Sequence, residues 1–307
     1  MQTRHLGRTE VRVSEIALGT WGLASGAYGE VSEARFEETV RAAWDAGVTT
    51  FDLAPLWGHG ASERVTAKAL GKNLSDAVLV TRVGQVESGD RLLAQFDAIA
   101  VGAAIDLSLE RIGRDWVDVV LLHNPPASAL STDRFSRGIG AAMASGKVRA
   151  WGVSTSSVDG ARVAMKLGAQ AICLPFNVLA PDDVEELVPM LKEQGVGVLA
   201  RSPLAYGLLG GRLKSAAQLG VEDHRRERWS EAALGKRLER VEALTKMAKD
   251  GDVADLALRV VLSNPFVSSA LVGARSPEQI ASAARAGKDG APYLENLLLK
   301  QIAALPR

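Results

Sequence analysis

Eight short apolar runs rich in β-branched residues recur along the 307-residue chain, and segments with a helical hydrophobic period separate them. The runs lack polar alternation, which is typical of strands covered on both faces. Eight parallel strands that alternate with helices close into a (β/α)8 TIM barrel, so this α/β fold is the prediction. The predicted strands are residues 16–19, 49–52, 77–82, 117–123, 148–153, 171–176, 196–200 and 268–273.

The intervening segments carry helix start and stop signals. SEARFEETVRAAWDAG, SERVTAKALG and DDVEELVPMLKEQG each open with a capping-type residue and close at glycine. An open doubly wound sheet is the structural alternative, but it would normally show a glycine-rich phosphate turn after its first strand, and none follows residue 19. Residues before 16 predict an N-terminal hairpin and those after about 289 a C-terminal capping helix. Without a linker or repeat, residues 1–307 are expected to form one domain.

The charge balance points to a small-molecule partner. Lys and Arg total 36, as do Asp and Glu, so no field of one sign exists to attract nucleic acid or an anionic membrane. The one cysteine, Cys173, has no disulfide partner, and MQTRHLGRTE lacks the apolar stretch of a secretory signal, which favours the cytoplasm. No apolar segment approaches the roughly 20 residues that span a bilayer. The oligomeric state is left open.

Polar residues end several of the predicted strands. Asp52, Arg82, His123 and Ser154 close the second to the fifth strands. Because the chemistry of such barrels lies at the C-terminal ends of the strands, these side chains are expected to converge on one mouth. A structural alternative is that Asp and Arg merely pair to close the barrel.

Residues 202–232 form the longest connection, and loops of this length in compact domains are usually functional or disordered. We interpret the charged run EDHRRER within it, residues 222–228, as solvated surface.

Five segments carry a specific family resemblance. LGRTEVRVSEIALGTWGLA, FDLAPLWGHGASE, GKVRAWGVSTSS, RSPLAYGLLGGR and LVGARSPEQI resemble the ordered signature segments of aldo-keto reductases, from residue 6 to about 280. The resemblance implies NADP(H)-dependent reduction of a carbonyl, or the reverse oxidation, by hydride transfer without a metal. The family's catalytic Asp and His match Asp52 and His123, whereas its Tyr and Lys positions fall on Trp57 and Arg82.

These two replacements alter the expected proton chemistry. An indole cannot usefully release a proton to the alkoxide that forms at a reduced carbonyl, and Arg82 is permanently charged and suited to fork onto Asp52. His123 is therefore the first candidate for the acid, titrating near 6.5, or higher if Asp52 lies close. His59 and Tyr28 are weaker candidates.

The resemblance also implies a set of cofactor contacts. Ser154 and Thr155 fall at the nicotinamide carboxamide, as does Cys173 in place of a glutamine, and Arg201 replaces an aromatic residue that stacks on the nicotinamide. Arg275 is suited to a 2′-phosphate, which favours NADP over NAD. The remaining predicted contacts are Gly19, Thr20, Trp21 and Asp52 near the first strands, Ser202, Pro203, Leu204, Gly207 and Leu209 at the pyrophosphate, and Gly273 and Gln279 at the adenosine.

Aromatic residues are predicted to surround the substrate. An apolar or ring-bearing substrate is expected, although each aromatic residue could instead pack a helix. The predicted substrate residues are Trp21, Tyr28, Trp57, His123, Asn124 and Trp229. Two alternatives remain: a lyase, dehydratase or isomerase that uses His123 and Asp52 as an acid/base pair, and a regulatory protein that binds the cofactor with little catalysis.

Overall fold

A computed structural model describes residues 1–89, 91–220 and 223–306. Within those ranges the strands are β1 (Thr3–His5), β2 (Arg12–Ser14), β3 (Ile16–Gly19), β4 (Thr50–Asp52), β5 (Val78–Val83), β6 (Gln85–Ser88), β7 (Arg91–Ala94), β8 (Val117–His123), β9 (Val148–Ser154), β10 (Ala171–Pro175), β11 (Gly197–Arg201) and β12 (Val267–Gly273). The α-helices are α1 (Trp21–Ala24), α2 (Glu33–Asp45), α3 (Ala61–Leu70), α4 (Ala98–Ile112), α5 (Ala127–Thr132), α6 (Ser136–Ala144), α7 (Val158–Lys166), α8 (Asp182–Gln194), α9 (Glu231–Met247), α10 (Val253–Leu262), α11 (Pro277–Ala284) and α12 (Asn296–Ala303).

Strands β3, β4, β5 and β8 to β12 form a closed barrel in which all neighbours are parallel. The barrel prediction is confirmed, and each predicted strand agrees with the observed one to within a residue at either end. The predicted hairpin before residue 16 is the antiparallel pair β1–β2, and the predicted C-terminal helix is α12. The antiparallel hairpin β6–β7 was not predicted from the sequence.

Side chains fill the barrel, as expected for this fold, so the strands frame a packed core. Its interior cluster includes Val119, Leu121 and Leu199, and Leu6 and Val13 of the N-terminal hairpin close it from below. A larger cluster fills the space between the strands and the surrounding helices. The polar site is therefore confined to the opposite, C-terminal mouth of the barrel.

The helix signals explain where the chain leaves each strand. The side chain of Ser32 caps α2 by accepting a hydrogen bond from the Arg35 amide, and Gly195 ends α8 in the left-handed conformation at φ 68°. Helices α3 and α8 depart from the expected caps, since Gly60 and Pro181 occupy their N-caps and no side-chain hydrogen bond is made there.

In its described residues, which exclude 221 and 222, the connection after β11 contains three short 3-10 helices, Ala205–Gly210, Ala216–Gln218 and His224–Arg226. A separate apolar cluster lies under it, to which Leu208, Leu213 and Leu234 contribute. The described part of the long connection is thus packed onto the barrel. In the described ranges, no helix combines the length and apolarity that a membrane crossing requires.

Candidate active site

A cavity of about 1050 Å³ opens at the C-terminal ends of the barrel strands. At one end, the reactive end, the predicted catalytic side chains Asp52, Trp57, Arg82 and His123 line it together. From there it extends as an arm between the segment after β11 and the segment after β12. The other predicted site residues that line these two parts of the cavity are Gly19, Trp21, Tyr28, Asn124, Ser154, Arg201, Ser202, Pro203, Leu204, Gly207, Gly273, Arg275 and Gln279.

Asp52 and Arg82 form a buried ion pair with the predicted two-point geometry. Arg82 donates from Nη1 to Asp52 Oδ1 at 2.5 Å and from Nη2 to Asp52 Oδ2 at 3.1 Å. Arg82 Nη1 also donates to the backbone oxygen of Leu53 at 2.8 Å. Burial raises the pKa of Asp52, and the attraction of Arg82 opposes this rise. Both carboxylate oxygens are committed to the guanidinium, so Asp52 is an anchor for Arg82.

The end of β4 is held in place by a small hydrogen-bond network. Thr20 donates from its hydroxyl to the backbone oxygen of Asp52 at 2.9 Å and lies 2.7 Å from the Ser62 hydroxyl. Ser62 in turn accepts from the Ala54 amide at 3.1 Å. Thr20 is fully buried behind the cavity wall, so its side chain orients Asp52 and does not itself line the cavity.

Trp57 lies between Arg82 and His123. The Arg82 guanidinium carbon is 4.7 Å from the Trp57 ring centroid, a cation–π geometry. The rings of Trp57 and His123 meet edge to face with centroids 6.5 Å apart. Replacing the family's phenol by an indole thus covers the buried cation with an aromatic face.

The electrostatic expectation for His123 is wrong in direction. Desolvation, followed by repulsion from Arg82 and Arg201, lowers the pKa of His123 to about 3. Asp52 does not raise it, because Arg82 neutralises that carboxylate. His123 is therefore a neutral imidazole at physiological pH and cannot act as the imidazolium acid that the sequence suggested.

Arg201, at the end of β11, brings a second guanidinium to the reactive end. Its Nη2 donates to the Ser156 hydroxyl at 2.8 Å and, at 3.5 Å, to the Thr155 backbone oxygen. Its Nε is buried and has no hydrogen-bond partner among the described residues. The charge of Arg201 reaches the carboxyl of Asp52 and the ring of His123, since it lowers the pKa of both.

Backbone strain clusters around the same cavity. Asn124, Ser202 and Tyr206 have positive φ angles of 46°, 54° and 57°, which non-glycine residues rarely adopt, and all three line the cavity. The left-handed backbone at these three points places the residues in the cavity wall. Such strain is typical of binding sites.

Arg275 lies on the cavity wall, but its guanidinium is largely engaged. It donates to the backbone oxygens of Tyr28 at 2.7 Å, Gly29 at 2.9 Å and Glu30 at 3.3 Å. Its buried Nε has no partner among the described residues. Gln279 accepts from the Arg275 backbone amide at 2.8 Å. Arg275 therefore ties the loop after α1 to the start of α11 and keeps only part of its donors for a ligand.

The run at 222–228 was interpreted as solvated surface, and this interpretation is wrong for the residues that face the cavity. Arg225 and Arg228 line it, and His224 packs edge to face on Trp21 and Tyr28 at ring distances of 5.0 and 4.6 Å. Residue 222 lies outside the described residues. The grouping of histidine with arginine beside a glycine-rich loop could have indicated that this run lines a binding site. Its charge alone did not distinguish it from a solvent-exposed turn.

Asp223 fixes the position of Arg225. Arg225 donates from Nη2 to Asp223 Oδ2 at 2.6 Å and from Nη1 to the Tyr206 backbone oxygen at 3.3 Å. Burial raises the pKa of Tyr28 to about 12, although Arg225 and Arg228 oppose the rise, so its phenol stays protonated. Tyr28 is thus a hydrogen-bond donor on the wall and a poor acid.

Four further predicted contacts do not reach the cavity through their side chains. Thr155 is buried, and its hydroxyl accepts from the Ser157 amide at 3.0 Å. Cys173 is fully buried behind Arg82, 3.7 Å from its Nη2, and burial raises the pKa of its thiol. Leu209 belongs to the apolar cluster under the long connection. Trp229 packs on Tyr206, with ring centroids 6.0 Å apart, and on the same cluster, and it does not line the cavity.

Several lining residues were not predicted. Acids on the arm are each paired with an arginine: Asp252 with Arg285 at 3.4 Å, Asp255 with Arg259 at 2.7 Å, and Glu278 with Arg35 at 2.8 Å. Lining cations with no carboxylate within ion-pair distance in the described part of the chain are Arg201, Arg212, Arg228 and Arg275. The cavity therefore presents uncompensated positive charge. In the same part of the chain, no three or more His, Cys, Asp or Glu side chains are grouped so as to hold a metal ion.

Fold and site together define an α/β barrel protein with a polar cavity at the C-terminal mouth of the barrel. The family model of the aldo/keto reductases matches residues 15–290, and the chain belongs to this family of oxidoreductases. It is 28% identical over 291 residues to an aldo-keto reductase of Bacillus subtilis, covering 91% of this chain and 87% of the relative.

Two other similarities span most of the chain. A protein of Schizosaccharomyces pombe named for the beta subunit of a voltage-gated potassium channel is 31% identical, covering 90% of this chain and 85% of that protein. The solved structure of a glycerol dehydrogenase from Gluconobacter oxydans superimposes with a TM-score of 0.85 at 24% identity, covering 98% of this chain and 94% of the other. That structural likeness concerns the fold.

Proposed function

We propose that this protein is an NADP(H)-dependent oxidoreductase that transfers hydride to or from a carbonyl or a conjugated or imine group of a small molecule. The observation that carries the proposal is the cavity itself, which joins a reactive end at Asp52, Arg82 and His123 to an arm lined by unpaired guanidinium groups. An extended cofactor that carries several phosphate charges needs an arm of this charge, and a small substrate needs the remaining space near the strand ends.

The residues of the arm fit a phosphorylated dinucleotide. Gly207, Gly210 and Gly273 line it and allow backbone to approach phosphate oxygens closely, while Arg212 and Arg228 supply positive charge. Arg275 would meet a 2′-phosphate with its remaining donors. When bound, the dinucleotide supplies the hydride.

At the reactive end, the chain's own residues would stabilise the developing charge on the carbonyl oxygen. His123 is neutral and would donate a hydrogen bond, and the guanidinium groups of Arg82 and Arg201 add a positive field. Trp57 covers Arg82 and excludes water from it. Because the pKa of His123 is lowered to about 3, its ring carries no acidic proton at physiological pH, and the proton would come from solvent or from the substrate itself.

The acid/base alternative receives less support from this geometry. A lyase or isomerase reaction would need a carboxylate free to take a proton, and Asp52 gives both oxygens to Arg82. The lowered pKa of His123 makes it a weak base as well. The regulatory alternative differs from the proposed function only in the rate of turnover. Because one relative is named for a channel subunit, turnover should be measured directly.

Two measurements on one preparation test the proposal. Titration with NADPH and NADH, followed by intrinsic tryptophan fluorescence, should give saturable quenching because Trp21 and Trp57 line the cavity. NADPH oxidation should then be followed with a panel of aldehydes, ketones, enones and imines. Absence of binding of either cofactor would overturn the proposal, and tight binding without turnover of any substrate in either direction would favour the regulatory alternative. The proposal also includes a small molecule as the partner of this protein and the cytoplasm as its location.

A further inference from the structure

The hairpin β6–β7 stands at the rim of the reactive end, because it follows directly on β5, the strand that carries Arg82. Its base is closely packed. Gly84 has a φ of 97°, and a Cβ added there would overlap the ring of Phe96, which is itself buried. The Gln95 amide donates to the Gly84 backbone oxygen at 2.8 Å. The hairpin is therefore held in a defined position as it leaves the barrel.

Two side chains of β6 connect the hairpin to the loops that carry the reactive groups. Gln85 donates from Nε2 to the backbone oxygen of Asn124, which lines the cavity, at 3.4 Å. Glu87 Oε2 lies 2.6 Å from Nδ1 of His59, two residues after Trp57. Alternate residues of a strand project from the same face, so these two contacts define one face of the hairpin. That face is turned toward the reactive end.

The strand register places an exposed leucine on the same face. Leu92 is paired with Glu87, and directly opposite residues of an antiparallel pair project from the same side. Leu92 is 60% exposed. Leu93 is paired with Val86 and therefore projects from the other side, where it is 41% exposed. Apolar surface that is exposed next to a binding cavity is typical of a wall that a ligand covers.

We propose that Leu92 extends the substrate site beyond the cavity, so that the protein prefers carbonyl compounds with a long apolar tail. This rests on the proposed function and adds the chemical class of the substrate. The cofactor fills the arm, so a substrate whose carbonyl lies beside His123 has to leave the cavity on the other side, past Trp57 and Asn124. There its tail meets the face of the hairpin that carries Leu92. Each methylene group that an apolar wall covers completely adds up to about fourfold in affinity.

The main competing occupant of this face is a second copy of the chain, since the edges of an exposed hairpin can pair with another chain. The orientation of the face favours a small molecule, because a protein laid on it would also obstruct the opening of the cavity. Leu93 is the matched control for Leu92. It is the same residue type on the same strand, and it differs in the face from which it projects.

The experiment measures NADPH oxidation with butanal, hexanal, octanal and decanal at saturating NADPH. In the wild type, kcat/KM for decanal should exceed that for butanal by at least about tenfold, mainly through KM, as expected for added apolar contact. Leu92→Gln should lower this ratio by at least about threefold, because a polar side chain then replaces the apolar wall. Leu92→Met, which keeps an apolar side chain of similar size, and Leu93→Gln should both retain the wild-type ratio.

Other outcomes overturn the inference. Equal kcat/KM for butanal and decanal in the wild type does so, as does a ratio that survives Leu92→Gln. An equal loss in Leu92→Gln and Leu93→Gln also does so, since the preference then depends on the integrity of the hairpin and not on contact with one face. Analytical ultracentrifugation tests the competing occupant. A wild-type dimer that becomes a monomer in Leu92→Gln would show that a second copy covers the face.

Failure of the proposed function is distinguishable from failure of this inference. If no aldehyde is turned over, calorimetry with butanamide, hexanamide, octanamide and decanamide, which do not accept hydride, replaces kinetics. A Kd that falls with chain length in the wild type and in Leu93→Gln, but not in Leu92→Gln, retains the apolar wall while hydride transfer is discarded. A Kd that is independent of chain length in the wild type discards the wall.

Discussion

His123 lies within the field of two guanidinium groups, Arg82 and Arg201, and is largely withdrawn from water. The neutral ring is the form that this environment favours, by the same desolvation that would favour a neutral carboxyl group. The neutral ring of His123 can still donate a hydrogen bond into the cavity, beside Trp57. The residue that the sequence singled out as a proton donor is thus better suited to hold an oxygen than to protonate it.

His123 should therefore leave no ionisation in the pH profile. Its pKa is lowered to about 3 from an ordinary 6.5, so it is neutral throughout pH 5 to 8, and kcat should show no step near 6.5. His123→Ala should reduce kcat by about a hundredfold, as for loss of one oxyanion donor, and His123→Gln, which keeps an N–H, by less. A step near pH 6.5 in the wild type that disappears in His123→Gln would contradict this assignment.

Trp57 and Arg82 should act as a pair when they are replaced. Trp57→Tyr alone should not produce a vigorous carbonyl reductase, because the phenol would face an arginine whose donors are engaged by Asp52 and Leu53. The double variant with Arg82→Lys should oxidise NADPH faster with simple aldehydes, since lysine lowers the pKa of an adjacent phenol. Full activity in Trp57→Tyr alone would show that the two positions are not coupled.

At the scale of elements, the mouth of the barrel is assembled by connections that contact one another. The loop after α1 is bound through its carbonyls at 28–30 to Arg275, which follows β12. The 3-10 helix at 224–226 contacts the same loop through the His224 amide, 3.4 Å from the Ala27 backbone oxygen. Connections from three different strands thus enclose the arm of the cavity, and a change in one is expected to reach the others.

Arg275 should determine the preference for NADPH. A charge-assisted contact with a 2′-phosphate is worth about tenfold to a hundredfold in affinity, so NADPH should bind more tightly than NADH by that factor. Arg275→Ala should remove the preference and also weaken both cofactors somewhat, because it releases the loop at 28–30. Gln279→Ala, which removes only the acceptor for the Arg275 amide, should affect both cofactors alike. Cofactor affinities from fluorescence titration decide this, and equal wild-type affinities would contradict it.

At the scale of the whole molecule, the ion pair of Arg82 and Asp52 at the barrel mouth bears on both the stability of the fold and the candidate active site. Arg82 is 1% exposed and Asp52 is 4% exposed, so neither charge is screened by water. Removing one partner of a buried pair typically costs about 3–5 kcal/mol, because the remaining charge is left uncompensated. A surface pair contributes much less.

Arg82→Met should lower the free energy of unfolding by about 3–5 kcal/mol at pH 7. Without Arg82, the effect of burial on Asp52 is opposed only by the charge of Arg201, and burial raises the folded pKa further above the ordinary value near 3.9. The folded state then binds more protons than the unfolded state, so stability falls as pH rises above about 4, and the deficit should be smaller at pH 5 than at pH 7.

Urea unfolding of wild type and variant at both pH values measures the change. Arg162→Met, which breaks exposed pairs with Asp159 and Glu186, is the control and should change the free energy of unfolding far less than Arg82→Met at either pH, because water screens exposed pairs. A deficit for Arg82→Met that is no larger than the control, or that grows toward acid pH, would contradict the assignment.

The amino-acid sequence by itself determined the barrel fold and which residues lie at the C-terminal mouth of the barrel. The strand positions follow from local apolar runs, so the sequence also shows where each strand ends. Because the C-terminal ends of parallel strands meet at one mouth, Asp52, Arg82 and His123 were predicted to lie together. Their pairing followed too, since a guanidinium and a carboxylate on neighbouring strands have few other partners.

Only the tertiary structure decided what these residues can do. The pKa of His123 depends on burial and on Arg201, which is 78 residues away in the sequence and beside it at the mouth. The direction in which Trp229, Leu209 and Cys173 face depends on packing against clusters that form after the strands are placed. The net charge at one site depends on side chains from elements that are distant in the sequence. The excess of positive charge at Arg201 therefore could not be deduced from a chain whose total charge is zero.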